Sequence, residues 1–370
     1  MNKLKLLCVI DSLGSGGAQR QLVSLSIEFK KAGHDVSFLV YHTENFFKNL
    51  LEDDQIQVHE IIEPSYIKRI LKMRRFIREG NYHAVLSFLE AANFICEVAG
   101  MPSRKWKLVV GERSSNPNIF KSFKLRFYRW FHLFADFVVS NSNENMRMVK
   151  KINPLLLSGK CKVIYNMVDS RLWDFSDNCE PLKNGKLNLL VAASHQYLKN
   201  ANGLIEAVYR LSEEEKARIK IEWYGDEQPN NSFKEAMDLV QQYRLEKIFS
   251  FFAATKDIIQ KMQEADAIGL FSFYEGLPNV ICEGMSLGKV IISSNISDVP
   301  LLINNPNLLF NPVDTAQISK VLSYLISLKN DELIEIGEKN LSLSKTLFQK
   351  DLIVKEYLEL LNLNSFTNHL

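Results

Sequence analysis

The run Lys5-Leu6-Leu7-Cys8-Val9-Ile10-Asp11-Ser12-Leu13-Gly14-Ser15-Gly16-Gly17-Ala18-Gln19-Arg20 decides the fold. An apolar stretch long enough for one strand passes into a glycine turn and then into a helix-patterned segment. The same order returns at Leu187–Ala192, which runs on through Ala193-Ser194-His195-Gln196-Tyr197-Leu198-Lys199-Asn200 to a helix beginning near Gly203. Between and after these starts, short apolar runs alternate with longer amphipathic stretches. The runs are Asp35–Tyr41, Ala84–Phe88, Leu108–Gly111, Phe137–Ser140 and Lys162–Tyr165 in the first half, and Lys220–Tyr224, Ala267–Phe271 and Lys289–Ser293 in the second. Near-continuous apolar strands separated by crossover helices are the mark of a parallel sheet covered on both faces. Here the pattern occurs twice, which predicts an α/β chain of two Rossmann-like domains. The aperiodic stretch from Asn166 to Lys186 is the expected junction. The division expected is 1–168 for the first domain, 169–186 for a linker, 187–348 for the second domain and 349–370 for a terminal helix that crosses back to the first.

Composition agrees with a globular chain. Of 370 residues, 46% are apolar and 24% charged, which excludes disordered and collagen-like classes. No apolar run approaches the roughly 18 residues needed to cross a bilayer, and Asp11 cuts the first one short of a signal-peptide core. The expected compartment is therefore cytoplasmic. Five scattered cysteines, Cys8, Cys96, Cys161, Cys179 and Cys282, have no metal-binding spacing and read as reduced core residues. The net charge of +2 hides an asymmetry: residues 1–165 hold 25 Lys and Arg against 15 Asp and Glu, whereas the remainder holds 20 against 28. A basic half points to an anionic partner, whether nucleic acid, acidic lipid or phosphorylated substrate.

Three segments carry chemistry. Gly14, Gly16 and Gly17 let backbone approach a ligand at a helix N-terminus, where unsatisfied N–H groups favour an anion. Glycine is missing where Gln19 stands, so this is no dinucleotide fingerprint, and no Gly-Lys-Ser/Thr makes it a Walker loop. Read alone, such a turn is equally a tight connection. In the second segment, Phe273–Gly288, Glu275 and Glu283 have seven residues between them. On one helix they would lie about 12 Å apart along the axis, too far to flank one bond. Starting the helix near Pro278 instead leaves Glu275 and Gly276 in the preceding loop and Glu283 inside the helix. The pair would then meet different parts of an extended ligand, with backbone amides between them; as residues alone, they are equally solvated carboxylates. In the third segment Lys199 follows the first strand of the second domain, where a cation is placed to neutralise phosphate. His195 reads as a turn residue.

Together these segments resemble the retaining nucleotide-sugar glycosyltransferases of the GT-B fold, specifically glycosyltransferase family 4, over nearly the whole chain. The strongest match is the Glu-x7-Glu motif, here Glu275-Gly276-Leu277-Pro278-Asn279-Val280-Ile281-Cys282-Glu283, preceded by Ala265-Asp266-Ala267 and Ser272. Gly16-Gly17-Ala18, Lys199-Asn200, Asn166-Met167-Val168-Asp169 and Tyr224-Gly225-Asp226 support it. The resemblance implies two domains facing each other across a cleft. It further implies that Glu275 contacts the donor sugar, that Glu283 accepts bonds from the ribose hydroxyls, and that Lys199 stabilises the departing diphosphate. Ser194, Asn200 and the Gly276-Leu277-Pro278-Asn279 segment would complete the donor site with Gly16 and Gly17. The base would meet the loops at Tyr224–Glu227 and Phe251–Thr255. No Asp-x-Asp occurs in the chain, so neither a bridging metal nor any other cofactor is expected.

Two positions depart from the common pattern. Ser194 stands where many members place an arginine. Glu112 and Arg113 stand where many present a histidine, and the resemblance puts this pair on the acceptor or sugar side. A bacterial polysaccharide-building subset shares both features. Ser297-Asp298-Val299-Pro300 also replaces a glycine-rich turn. The function implied is transfer of a hexose or N-acetylhexosamine from a UDP-linked donor to an undecaprenyl-diphosphate-linked glycan, in capsule, O-antigen or similar synthesis, with retention of configuration. A sugar-nucleotide epimerase and a silent binding protein of the same fold are the alternatives. The basic stretches Ile67–Gly80 and Lys121–Phe134, the second interleaved with aromatics, are expected either to sit against anionic headgroups or to turn their rings inward and leave their cations solvated. No nucleic-acid module is present.

Overall fold

The computed structural model describes residues 3–168 and 185–362. Most of the expected junction, 169–184, lies outside them, as does Cys179. Contacts divide the chain into two compact units, Met1–Met167 with Lys350–Leu370, and Val168–Gln349.

The first unit is built on a seven-stranded sheet. Its strands are β1 (Lys5–Val9), β2 (Asp35–Val40), β3 (Gln57–Glu60), β4 (Ala84–Phe88), β5 (Lys107–Glu112), β6 (Phe137–Ser140) and β7 (Cys161–Val163). They lie in the order β3-β2-β1-β4-β5-β6-β7, and every pairing is parallel. Alternate residues of β1 enter two different cores: Leu6 and Cys8 pack on one face, Leu7 and Val9 on the other. A strand buried on both sides must be apolar throughout, which is why these runs are legible without a period of two. The Lys350–Leu361 helix belongs to this unit, burying Ile353, Tyr357, Leu358, Leu360 and Leu361 in the core that holds Leu6 and Cys8.

The second unit carries β8 (Leu187–Ala192), β9 (Ile219–Tyr224), β10 (Phe249–Phe252), β11 (Ala267–Leu270), β12 (Val290–Ser294) and β13 (Leu309–Phe310). Their order is β10-β9-β8-β11-β12-β13, again parallel. The Asn279–Ser286 helix covers this sheet at close range through Gly284, where a Cβ would stand 2.7 Å from Cδ1 of Ile291.

Three strands, β3, β10 and β13, escape the sequence reading, and all three lie at sheet edges. β3 has no fully buried residue, β10 has one and β13 is two residues long. Edge strands need no continuous apolar run, so none marks them. In each sheet the strand order reverses between two central strands, β1 and β4 in the first, β8 and β11 in the second. The loops leaving those strands diverge to opposite faces, which opens a crevice at their carboxyl ends.

Candidate active site

The second unit's crevice is lined by the two loops that carry the sequence-predicted residues. After β8 the chain makes a tight turn at Tyr197–Lys199, and Asn200 then caps the Ala201–Tyr209 helix in a left-handed conformation, φ 57°. Asparagine tolerates that conformation better than most residues because its short amide bonds locally. Its Oδ1 accepts from the Gly203 amide at 3.2 Å and its Nδ2 donates to the Pro312 carbonyl at 2.8 Å. A Cβ on residue 203 would stand 2.5 Å from that Oδ1, so the cap requires glycine there.

This cap fixes the direction of Lys199. Its Nζ donates to Oε1 of Glu275 in the loop after β11, and both side chains are about four-fifths covered. The Phe273 amide donates to the Leu198 carbonyl at 3.0 Å, tying the two loops together. Glu275 is followed by the buried segment Gly276–Pro278 and by the Asn279–Ser286 helix, with Pro278 as its N-cap. Glu283 lies inside that helix and is buried. A carboxylate and an ammonium thus stand beside the positive end of a helix dipole, a setting that favours an anionic group.

The β8 and β9 loops touch backbone to backbone. A Cβ on Gly225 would stand 1.9 Å from the Ala193 carbonyl oxygen, while Trp223 Nε1 donates to that same oxygen at 2.6 Å. His195 is buried against Trp223, Phe233 and Phe251, with ring centroids 5.6, 4.5 and 5.6 Å away, and burial lowers its pKa against the opposing pull of Asp226. It is a packing residue of the turn. Farther out, Tyr224 stacks on the partly exposed Phe252 at 4.8 Å, and Asp226 Oδ1 accepts from the Ala254 amide at 3.1 Å.

In the first unit Gly16 is the N-cap of the Gly17–Lys31 helix, and Ser15–Gly17 are exposed. Gly16 has ordinary extended backbone. A Cβ there would stand 2.2 Å from Oε1 of Gln19, so a larger residue would displace the end of that side chain. That glutamine reaches back to donate to Asp11 Oδ1 at 2.9 Å, and the Ser12 amide donates to the same oxygen at 2.7 Å. Burial nevertheless raises the Asp11 pKa above the usual carboxylate range, with those two bonds opposing it.

Comparison with known proteins identifies the family and the fold. The model "Glycosyltransferase Family 4" matches residues 15–172, and "Glycosyl transferases group 1" matches 174–340. The chain belongs to the family 4 glycosyltransferases, with the GT-B fold. This glycosyltransferase is 25% identical over 349 residues, 89% of its length and 90% of the relative's, to a Campylobacter jejuni protein. That relative is described as GalNAc-alpha-(1->4)-GalNAc-alpha-(1->3)-diNAcBac-PP-undecaprenol alpha-1,4-N-acetyl-D-galactosaminyltransferase. Anabaena HepE in complex with UDP superposes with a TM-score of 0.84 at 19% identity, covering 96% of this chain and 99% of that one. A glycosyltransferase from Rickettsia africae superposes at 0.80 and 22% identity, covering 97% and 98%.

The structure revises several expectations for this glycosyltransferase. Glu112 is not open to an acceptor. It is buried at the end of β5, one oxygen accepting from Arg129 at 2.7 Å and the other facing His132 Nε2 at 3.0 Å. Burial raises its pKa, but Arg129 and His132 outweigh that and hold it below the usual range. Nδ1 of His132 in turn faces Glu97 at 2.6 Å, and Arg129 also reaches Glu90 at 3.3 Å. Burial lowers the His132 pKa, yet Glu97 and Glu112 push it up to about 9. This internal network of three glutamates, a histidine and an arginine was invisible in sequence because its members lie on four separate elements. Arg113 donates to Asn166 and lies over the Phe88 ring at 4.5 Å, so it braces the end of the first sheet.

Asn200 spends both ends of its amide on the protein and therefore positions Lys199. Ser194 accepts from Gln196 Nε2 at 2.7 Å and supplies no cation. Leu277 and Pro278 are buried beside Gly276, which leaves Asn279, partly covered, at the helix start. Ser297 adopts φ 50°, the conformation in which glycine would be unstrained. Among the described residues no group of three or more His, Cys, Asp or Glu is arranged to hold a metal ion, and no helix is long and apolar enough to cross a membrane.

Proposed function

We propose that this glycosyltransferase moves a hexose or N-acetylhexosamine from a UDP-linked donor to a lipid-diphosphate-linked glycan, with retention of anomeric configuration, in the synthesis of a bacterial surface polysaccharide. The observation that carries the donor half is the Lys199–Glu275 pair at the crevice between β8 and β11, beside the N-terminus of the Asn279–Ser286 helix. A nucleoside diphosphate entering there meets an ammonium already held in place and the positive end of a helix. Both stabilise charge that grows as the bond from the sugar carbon to the diphosphate oxygen breaks. The sequence lacks Asp-x-Asp, so we assign this compensation to Lys199 and peptide dipoles in place of a divalent cation. Glu275, released from Lys199 by the competing diphosphate, would orient the sugar hydroxyls. Buried Glu283 would take the ribose, and the stacked Tyr224–Phe252 pair would flank the base. Gly16 and Gly17, exposed at the start of their own helix in the first unit, offer backbone to an anionic group.

The acceptor half is supported by the Campylobacter relative, whose name specifies a PP-undecaprenol-linked glycan, and the UDP preference by the Anabaena neighbour. The site of action is then the inner face of the plasma membrane.

The test is a panel of nucleotide sugars incubated with enzyme and undecaprenyl-diphosphate-linked saccharides. Acceptor-dependent release of UDP, with an α-linked product from an α-linked donor by NMR, is expected. Release without acceptor, or turnover unaffected in Lys199→Ala, removes the assignment.

A further inference from the structure

A row of exposed aromatic side chains stands on the first unit. The rings of Phe123, Phe127, Phe131 and Phe134 form a continuous row, with successive centroids 6.3, 5.0 and 5.7 Å apart. Phe123 is 82% exposed, and Phe127, Trp130 and Phe134 are each about 40% exposed. The row belongs to the Phe123–Trp130 helix and the turn that follows it. It is joined to the Tyr66–Glu79 helix through the Tyr66 and Tyr128 hydroxyls, 2.7 Å apart, and through Lys124, which lies over both rings. That second helix adds Ile67, 71% exposed, and Leu71 one turn on, 59% exposed. Two aromatic-bearing helices that meet through one hydroxyl pair and one lysine yet leave apolar side chains in solvent mark an interaction surface.

Charge names its occupant. From residue 113 to residue 135 the chain has no aspartate or glutamate. Lys68, Lys121, Lys124 and Arg126 are exposed and make no ion pair among the described residues. Apolar rings level with unpaired cations on long aliphatic stems match the boundary of a bilayer carrying acidic lipid: rings enter the acyl region while ammonium and guanidinium groups reach phosphate.

We propose that this surface docks the enzyme on an anionic phospholipid bilayer, with Phe123 and Trp130 inserted and Lys68, Lys121, Lys124 and Arg126 in the headgroup layer. Its purpose rests on the lipid-linked acceptor reading, since docking would bring the first unit to an acceptor that never leaves the membrane. The vesicle-binding measurement does not rest on it, because neither donor nor acceptor is present in that assay.

The full chain is incubated with vesicles of phosphatidylcholine alone or mixed with phosphatidylglycerol, at low and high salt. Binding is expected to the mixed vesicles, weakening with salt. Trp130 emission should shift to the blue and be quenched by brominated lipid, a signal lost in Trp130→Phe. Trp106 and Trp223 are buried and should not respond, and Trp173, which lies outside the described residues, is replaced by Phe in every protein compared. Lys121→Gln and Lys124→Gln should each weaken partition about fivefold, and Phe123→Ser should weaken the part of binding that survives high salt. All three variants should keep wild-type turnover on a water-soluble acceptor and turn over more slowly on one embedded in vesicles, in step with their weakened partition. No binding of folded protein to mixed vesicles at low salt overturns the proposal. So does binding that none of these variants weakens, or a concentration-dependent dimer that Phe123→Ser abolishes, which would make a second copy the occupant.

Discussion

Replacing Gly225 with alanine tests whether the contact between the β8 and β9 loops sets the position of Lys199. The added Cβ would stand 1.9 Å from the Ala193 carbonyl oxygen and 2.5 Å from its carbon, both backbone atoms that no side-chain rotation can move. Relief to the 3.0 Å below which real Cβ contacts are not found requires the two strands' exits to part by about 1.1 Å. That motion stretches the Ala193 amide bond to Tyr224 and the His195 amide bond to Asp226, both 2.9 Å long. Backbone bonds of this kind contribute about 0.5–1.5 kcal/mol each, and forced overpacking costs about 1–3 kcal/mol. A loss of about 2–4 kcal/mol is expected, or a fall in Tm of roughly 5–15 °C for a unit of this size. The Ala193–Asn200 loop carries Lys199, and a displacement near 1 Å at a reacting group costs about a hundredfold in turnover. Differential scanning fluorimetry and acceptor-dependent UDP release, measured on the same preparation, read both effects. Gly159→Ala, where no atom lies within 4 Å of the new Cβ, is the neutral control. A Gly225→Ala enzyme with Tm within about 2 °C and turnover within twofold of wild type would refute the argument.

Other changes separate chemistry from stability. Lys199→Ala should lower turnover by about 10²–10³ while moving the urea midpoint little, because a partly exposed ion pair contributes at most about 1 kcal/mol; a large midpoint shift would make Lys199 structural. Asn200→Ala removes the cap and should cost about 1 kcal/mol together with part of the turnover, so loss of stability alone would show that the cap does not aim Lys199. Arg129→Met strands Glu112 in the interior and should destabilise the first unit by about 3–5 kcal/mol, with partial recovery in the double variant carrying Glu112→Gln; additive losses would contradict the pairing. His132 sits above its ordinary value of 6.5, near 9, facing Glu97 and Glu112, with Arg129 joining through Glu112 and Glu90 through Arg129. A raised value means that its contribution is whole below pH 6.5 and is lost as pH rises through 9, on the order of 3 kcal/mol. Urea titrations at pH 6 and pH 10 should show that decline in wild type and little of it in His132→Gln.

The sequence was legible wherever one residue type has one physical use. Central strands such as Leu187–Ala192 are apolar on both faces, so their identity follows from composition. Pro278 starts a helix because it lacks an amide hydrogen, and the loop position of Glu275 follows from that. Reading failed where a residue's use depends on partners far away in the chain. Glu112, seen beside Arg113 at a strand end, looks like a residue offered to a ligand. Its partners are residues 97, 129 and 132, and no local pattern announces that they converge. Asn200 likewise looks like a polar group beside a catalytic lysine. Its obligation to the carbonyl of Pro312, 112 positions later, decides its role. Edge strands are hard to read for the opposite reason: β3 needs so little from its side chains that almost any sequence would serve.

The Lys350–Leu361 helix has a consequence for synthesis. Tyr357, Ile353 and Leu361 fill the core that also holds Phe88 and Leu6, yet all of Val168–Gln349 is translated between them. At roughly 5–20 residues per second, a ribosome spends on the order of ten to forty seconds on that interval. Throughout it, the nascent amino-terminal half must wait with an uncovered apolar flank for a piece of itself that has not yet been made. The intervening half, whose strands are all local to it, is free to finish first.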